Sequence, residues 1–224
     1  MFRLRYIIIT VLLFCFKANV IAQDNELTLG LRAGHNAIFG GFAATSIEGA
    51  HHFGSDYSIG GGIQYNTIGK TAMEARPTYH MDLDWGKLTA EGMLAYTNLS
   101  SVNSYAVGAG AELSYDQITV KLGYYYRLYG SRSNMITEPF NVFYELRVNC
   151  LKNSDIWDLD FVITNCEVFE LERHYQPSFM AEGSFNPSDK VGFFFGLGYK
   201  PAGSFHLTAD YYQSYLKTGI CYRW

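Results

Sequence analysis

The chain has 224 residues, and its 17 bases against 21 acids give a net charge of −4. This acidic balance, without a basic run, excludes nucleic acid as an expected partner. Aromatic residues make up 17% of the chain, and 22 glycines stand beside only 5 prolines, which is a composition typical of pleated strands rather than helices.

The first predicted element is a targeting segment. Arg3 and Arg5 precede an apolar run over residues 6–16, which is too short to cross a bilayer as a helix. Val20 and Ala22 occupy the −3 and −1 positions of a signal-peptidase site. We therefore predict a signal peptide over residues 1–22, export through the inner membrane, and one mature domain over residues 23–224. Removing the segment takes away three bases and no acid, so the net charge falls from −4 to −7.

Hydrophobic alternation with a period of two dominates the mature chain. Over residues 73–85 every second side chain is apolar or small, while Glu74, Arg76, His80 and Asp82 occupy positions between them. That period predicts strands with one apolar and one polar face. Tight turns are predicted at Gly86-Lys87, Asp116-Gln117, Lys152-Asn153-Ser154 and Asn186-Pro187-Ser188-Asp189.

The pattern predicts about twelve strands, with ten as the alternative. They start near Leu27, Ile38, Tyr57, Thr71, Leu88, Tyr105, Ile118, Ile136, Trp157, Tyr175, Val191 and Gln213. Residues 201–212 alternate too and form either a further strand, an extension of one, or a folded loop. The short turns are expected on the periplasmic side, and the wider connections at 131–134, 165–174 and after Lys200 outside the cell.

Strand length decides between a membrane barrel and a soluble β-sandwich, which also alternates. Many of the strands span ten or more residues, as a tilted membrane strand must and an average soluble strand does not. Trp85, Tyr115, Trp157 and Tyr199 lie toward strand ends, where an aromatic girdle would meet lipid headgroups. We therefore predict an all-β, antiparallel up-and-down transmembrane β-barrel.

The last strand carries Ile220, Tyr222 and the terminal Trp224 on one face. With the signal peptide and the short-turned hairpins, it resembles the small outer-membrane β-barrel proteins of Gram-negative bacteria, although the commonest pattern ends in Phe. The resemblance covers the whole chain. It implies a location in the outer membrane, contact with outer-membrane lipid, and recognition of these three residues as a signal by the barrel assembly machinery.

If the apolar side chains face lipid, the opposite faces fill the lumen with charge. The predicted lumen charge network consists of Glu74, Arg76, Asp82, Glu91, Glu112, Lys121, Arg127, Glu145, Arg147, Asp158, Asp160 and Glu182. Hairpin geometry predicts ion pairs between Glu112 and Lys121, and between Arg147 and Asp158 or Asp160.

Sequence reasoning finds no catalytic, cofactor-binding or metal-ligating set. His80 lies near Asp82, and Ser204 near His206, but neither arrangement has a serine, a base and an orienting group at a recognisable spacing. The histidine pair at residues 51–52 is interpreted as part of a solvated turn. We expect no enzymatic activity and no cofactor.

The mature chain holds an odd number of cysteines, Cys150, Cys166 and Cys221. Alternation directs Cys150 toward lipid and the other two toward the lumen, on strands whose relevant ends lie on opposite sides of the membrane. Neither a disulfide nor a thiolate metal site is therefore expected.

Two functions remain ahead of enzymatic activity. The first is a structural or partner-binding barrel with a largely side-chain-filled lumen. The alternative is a small pore that prefers cations because the predicted lumen has more acids than bases. A lipid-modifying enzyme is the third possibility. The acidic and apolar segment 167–173 is a candidate contact for a surface partner, and a periplasmic partner is also considered.

Overall fold

The computed structural model describes residues 25–36, 40–99, 102–129, 140–151, 154, 156–167, 170–171, 177–201 and 213–224. The predicted signal peptide, Ser204, His206 and the ambiguous segment 202–212 lie outside the described residues. So does most of the candidate contact segment 167–173.

Strands account for nearly all of the described chain, as the two-residue alternation predicts. The described strands are β1 (Glu26–Asn36), β2 (Gly40–Phe53), β3 (Tyr57–Asn66), β4 (Lys70–Leu83), β5 (Gly86–Leu99), β6 (Val102–Tyr115), β7 (Ile118–Tyr129), β8 (Phe140–Asn149), β9 (Trp157–Thr164), β10 (Cys166–Glu167), β11 (Glu170–Leu171), β12 (Ser178–Phe185), β13 (Val191–Lys200) and β14 (Gln213–Arg223). No described helix is long and apolar enough to cross a membrane.

Twelve of these strands form one closed, antiparallel barrel, which confirms the predicted fold class and strand number. Each strand pairs with its neighbours in the chain, except that β9 pairs with β12 and the first strand closes the barrel with the last. In that closing pair Glu26 lies opposite Arg223 and Asn36 opposite Gln213. The two shortest strands, β10 and β11, form a separate hairpin that was not predicted.

The observed strand boundaries differ locally from the predicted ones. The turn between β4 and β5 consists of Asp84 and Trp85, so Gly86 and Lys87 are the first residues of β5 rather than the turn itself. The turn at Asp116 is where predicted, and Asp116 has a positive φ of 50°, a conformation that Asp tolerates better than most residues.

Both described chain ends, Asn25 and Trp224, lie at the same end of the barrel and exchange two backbone hydrogen bonds of 3.0 Å. The short turns that follow β2, β4, β6 and β12 lie at this end because the strands alternate in direction. We call it the terminal end, and we call the opposite end, where β1, β7, β9 and β13 finish, the loop end.

Large apolar side chains cover the outside of the barrel. Leu31, Leu122 and Leu197 each expose 58% or more of their surface, which suits lipid and would be a liability in water. Aromatic contacts mark both ends of this surface. Trp157–Phe185 and Tyr222–Trp224 lie toward the terminal end, and Tyr96–Tyr105 and Tyr126–Phe140 toward the loop end, with ring centroids 4.5–5.7 Å apart.

Candidate functional site

The strand register fixes which side chains share the lumen. Residues opposite each other in adjacent strands point to the same face, so the chain of partners Glu112, Lys121, Glu145 and Thr164 defines one inner surface. Every member of the predicted lumen charge network has this inward parity. These members are Glu74, Arg76 and Asp82 on β4, Glu91 on β5, Glu112 on β6, Lys121 and Arg127 on β7, Glu145 and Arg147 on β8, Asp158 and Asp160 on β9, and Glu182 on β12.

A ring of buried side chains crosses the loop-end half of the lumen, and every barrel strand contributes to it. Its members are Arg32, Phe42, Gln64, Ala72, Met93, Ala106, Tyr125, Phe143, Val162, Met180, Lys200 and Tyr215, and we call this set the buried ring. None of them exposes more than 8% of its surface. Inward side chains from all twelve barrel strands are therefore covered at this level.

Glycines on the lumen face leave room for the large aromatic side chains of the buried ring to pack against the barrel wall. A Cβ built on Gly110 would lie 2.6 Å from Cζ of Phe143, and one on Gly108 would lie 2.8 Å from Cβ of Tyr125. Phe143 also covers Gly123, and Tyr215 covers Gly198. Because glycine has no side chain, each ring can lie against the barrel wall and fill the space beside it.

Replacing Gly123 with valine is expected to destabilise the barrel by about 1–3 kcal/mol, the usual cost of overpacking a filled core. The new side chain would occupy the place of the Phe143 ring. Equilibrium unfolding in urea, followed by tryptophan fluorescence of the refolded protein in detergent, measures the loss. Gly41→Val is the matched control, because a Cβ there meets nothing within 4 Å. Equal stability of the two variants would contradict the seating of Phe143 on Gly123.

An ion-pair network centred on Arg147 lines one side of the lumen, between the buried ring and the terminal end. Arg147 Nη1 lies 2.8 Å from Asp160 Oδ2 and 3.0 Å from Glu182 Oε2, and Nη2 lies 3.2 Å from Glu145 Oε1. Lys217 forms an ion pair with Glu182. Of the two carboxylates that hairpin geometry offered to Arg147, Asp160 is the one bound. We call these five residues the Arg147 network.

A second network connects β4, β5 and β7. Lys121 Nζ lies 2.7 Å from Glu91 Oε2, and Arg76 Nη1 lies 3.8 Å from the same oxygen. Arg76 also pairs with Glu74, whose side chain is only 2% exposed. Glu112 lies opposite Lys121 in the register, but the ammonium group of Lys121 forms its ion pair with Glu91, not with Glu112. The predicted pairing was therefore right in register and wrong in partner.

Two adjoining cavities of about 580 and 360 Å³ lie in the lumen beside the two networks. The larger extends from Glu26, Asn186 and Arg223 at the terminal mouth to Arg32 and Gln64 of the buried ring. Arg147, Glu182, Ser184, Phe194 and Lys217 line both cavities. Water can therefore enter the lumen from the terminal end as far as the ring.

The lumen contains charged residues that the sequence prediction omitted. Arg32, Lys200 and Lys217 add bases, and Glu26 and Glu48 add acids. Because three bases and two acids are added, the acidic surplus on which the expectation of cation preference depended falls by only one. All five lie near strand ends or on strands whose polar face had not been assigned, but their inward parity follows from the same alternation.

His80 is surrounded by hydroxyl groups. Its Nδ1 lies 3.0 Å from Thr89 Oγ1, and its Nε2 lies 3.3 Å from both Ser58 Oγ and Thr78 Oγ1. Among the described residues, the ring's hydrogen-bond partners are hydroxyl groups and not a carboxylate that would orient it as a general base. The local arrangement is a hydrogen-bonded polar cluster at the terminal mouth.

The remaining candidates from the sequence occupy separate places. The histidine pair, His51 and His52, belongs to β2 and not to a turn, and His51 Nδ1 lies 2.6 Å from Asn25 Oδ1. Among the described cysteines, Cys150 is free and exposed and Cys221 is free and faces the larger cavity. The described residues contain no group of three or more His, Cys, Asp or Glu side chains that could hold a metal ion.

The three residues of the predicted assembly signal, Ile220, Tyr222 and Trp224, lie on the lipid face at the end of the chain. They expose 39%, 46% and 44% of their surfaces. Tyr222 stacks on Trp224 with ring centroids 5.7 Å apart.

No protein-family model and no curated protein sequence matches this chain. Solved structures do resemble it. KdgM porin in complex with disordered oligogalacturonate is similar with a TM-score of 0.56 and 12% identity, over 87% of this chain and 98% of that one. The translocator domain of autotransporter NalP from Neisseria meningitidis has a TM-score of 0.56 and 11% identity over 99% and 95% of the two chains.

An active-site mutant of outer membrane phospholipase A from Escherichia coli is also similar, with a TM-score of 0.54 and 8% identity over 92% of each chain. At these identities the likeness concerns the fold alone. The chain has the fold of Gram-negative outer-membrane β-barrels, and the neighbours support an outer-membrane location.

Proposed function

We propose that this protein is a non-conducting outer-membrane β-barrel with a structural or partner-binding role. The buried ring carries the proposal, because a barrel that conducts ions needs a continuous wet path and the ring has inward side chains from all twelve strands exposed by 8% or less. Narrow barrels generally fill their interiors with side chains. The protein has no catalytic role in this proposal.

The charged residues of the lumen cross-link the barrel wall in this proposal. The Arg147 network joins β8, β9, β12 and β14, and the network of Arg76 and Lys121 joins β4, β5 and β7. Partners would then bind the outer loops or the terminal end of the barrel. The terminal end carries the short turns, and in bacterial barrels the short turns face the periplasm. Assembly by the barrel machinery through Ile220, Tyr222 and Trp224 belongs to the same proposal.

Single-channel recording from the refolded mature protein in a planar bilayer tests the closed lumen. We expect a silent bilayer from protein that shows the heat-dependent gel mobility of a folded barrel. Steady conductance steps from the same preparation would refute the closed lumen and leave the pore as the function. Boiled protein provides the control for conductance caused by detergent or contaminants.

The second candidate is a small cation-preferring pore. Its support is the pair of cavities, 580 and 360 Å³, that occupy the terminal half of the lumen, together with the similarity to structures described as porins. A salt gradient across the bilayer tests this candidate. Cation-selective conductance steps whose selectivity for cations falls after Asp158→Asn and Asp160→Asn would establish the pore. Conductance steps without ion selectivity would exclude the preference for cations.

A further inference from the structure

The carboxylate of Glu48 differs from the other acids that line the larger cavity. Glu26 lies 3.3 Å from Arg223, and Glu145 and Glu182 both pair with Arg147. Glu48 accepts a 2.9 Å hydrogen bond from Ser46 Oγ, but among the described residues no base forms an ion pair with it. Glu48 is therefore the acid of this cavity wall that no described base contacts, and Lys217 and Arg76 act on it only from beyond ion-pair distance.

The Gln64 side chain provides a second, independent feature of the same wall. It is 6% exposed and lines the larger cavity, and its Oε1 has no hydrogen-bond partner among the described residues. A buried carbonyl oxygen without a donor costs free energy, and such groups are rare in folded proteins. The site therefore favours a molecule that brings a hydrogen-bond donor.

Ser46, Glu48 and Gln64 lie together on two paired strands. Ser46 is opposite Gln64 in the register of β2 and β3, and Glu48 is the next inward residue of β2. Opposite residues of an antiparallel pair have Cβ atoms roughly 4.5–5.5 Å apart. Across from Glu48 is Gly62, where a Cβ would lie 2.8 Å from Glu48 Cγ, so a glycine leaves room for the carboxylate to lie along the wall. We call these three residues the Glu48 site.

We propose that the Glu48 site binds the ammonium group of a small organic cation that enters the cavity from the terminal end. A primary ammonium group has three N–H donors and no acceptor, which matches a carboxylate, an amide oxygen and a hydroxyl oxygen. The cavity of about 580 Å³ has the size of a small-molecule site. A metal ion fits less well, because the site offers a single carboxylate. The inference does not depend on a closed lumen, since the cavity is reached from the terminal end in either case.

Ligand-observed NMR with n-butylammonium chloride and the refolded mature protein in detergent tests the proposal. We expect saturable binding by the unmodified protein and at least tenfold weaker binding by Glu48→Gln, because a charge-assisted hydrogen bond is lost. Gln64→Met, which keeps the length of the side chain but removes the acceptor, is expected to weaken binding several-fold. 1-Butanol and tetramethylammonium chloride, which lack the charge and the N–H donors respectively, are expected not to bind this site.

Glu112→Gln is the matched control variant. Glu112 is also a lumen acid without an ion pair among the described residues, but it does not line either cavity, so its removal should leave binding unchanged. Equal binding by Glu48→Gln and the unmodified protein would overturn the proposal. So would equal binding of 1-butanol or tetramethylammonium, or no saturable signal from correctly folded protein.

Discussion

Replacing Arg147 with methionine is expected to lower the free energy of unfolding by about 3 kcal/mol, which is the lower end of the range for breaking a buried ion pair. The guanidinium group contacts Glu145, Asp160 and Glu182 at 2.8–3.2 Å. The variant leaves these carboxylates close together in the lumen, with Lys217 as the remaining base of the Arg147 network. The 32% exposure of the Arg147 side chain keeps the effect below that of a fully buried pair. Urea unfolding of the refolded protein measures it.

Two further variants separate charge from packing at this position. Arg147→Lys keeps the charge but loses the planar fork that reaches several carboxylates at once, so an intermediate loss is expected. Arg223→Met removes the base of a pair in which both side chains are 39% exposed, and such pairs contribute about 1 kcal/mol or less. If Arg147→Met were no more destabilising than Arg223→Met, the Arg147 network would not be a principal cross-link of the wall.

The strands could be predicted from the sequence because their signals are local. Alternation with a period of two and turn residues such as Asp116 act within a few positions of the chain. They placed the starts of β3, β7, β9, β13 and β14 at the observed residues. The short hairpin of β10 and β11 was missed because two-residue strands are too short to show a period.

The apolar side chains of the buried ring were missed for a physical reason. If every apolar residue is assigned to the lipid face, none is expected on the inner face. The inner face nevertheless carries some of the most buried residues described, namely Met93, Tyr125, Phe143 and Val162. A membrane barrel has apolar surroundings outside and, in its narrow part, inside as well. Met93, Tyr125 and Phe143 each stand two or four positions from a charged lumen residue of the same strand, namely Glu91, Lys121 and Glu145. This even spacing would have predicted that they also point into the lumen.

Ion-pair partners are not local properties, so the sequence predicted them only partly. Arg147 and Asp160 belong to one hairpin and were paired correctly. Lys121 instead reaches Glu91 on β5, two strands away, and the register of adjacent strands does not predict such a contact. The lack of an ion pair at Glu48 could not be predicted for the same reason, because no hairpin rule shows which acid a base will contact.

Replacing Phe143 and Tyr215 together with alanine is expected to open the lumen and turn a silent barrel into a conducting one. Both side chains belong to the buried ring, on β8 and β14, and expose 1% and 5% of their surfaces. Their rings cover lumen glycines, Gly123 and Gly198, so alanine leaves space beside the wall that no neighbouring side chain fills. The buried ring also contains the polar residues Gln64 and Lys200, which can hydrogen-bond to water that enters the new space, and this water would join the larger cavity.

Planar-bilayer recording of the double variant beside the unmodified protein measures the gain of conductance. Each truncation costs several kcal/mol of stability, about 3–5 kcal/mol for a phenylalanine, so heat-dependent gel mobility must first show that the variant is folded. Phe140→Ala with Tyr199→Ala is the matched control, because both aromatics face lipid and are 66% and 50% exposed. A folded double variant that stays silent would show that Phe143 and Tyr215 do not close the lumen, and conductance in the control pair would show that the current does not pass through the ring.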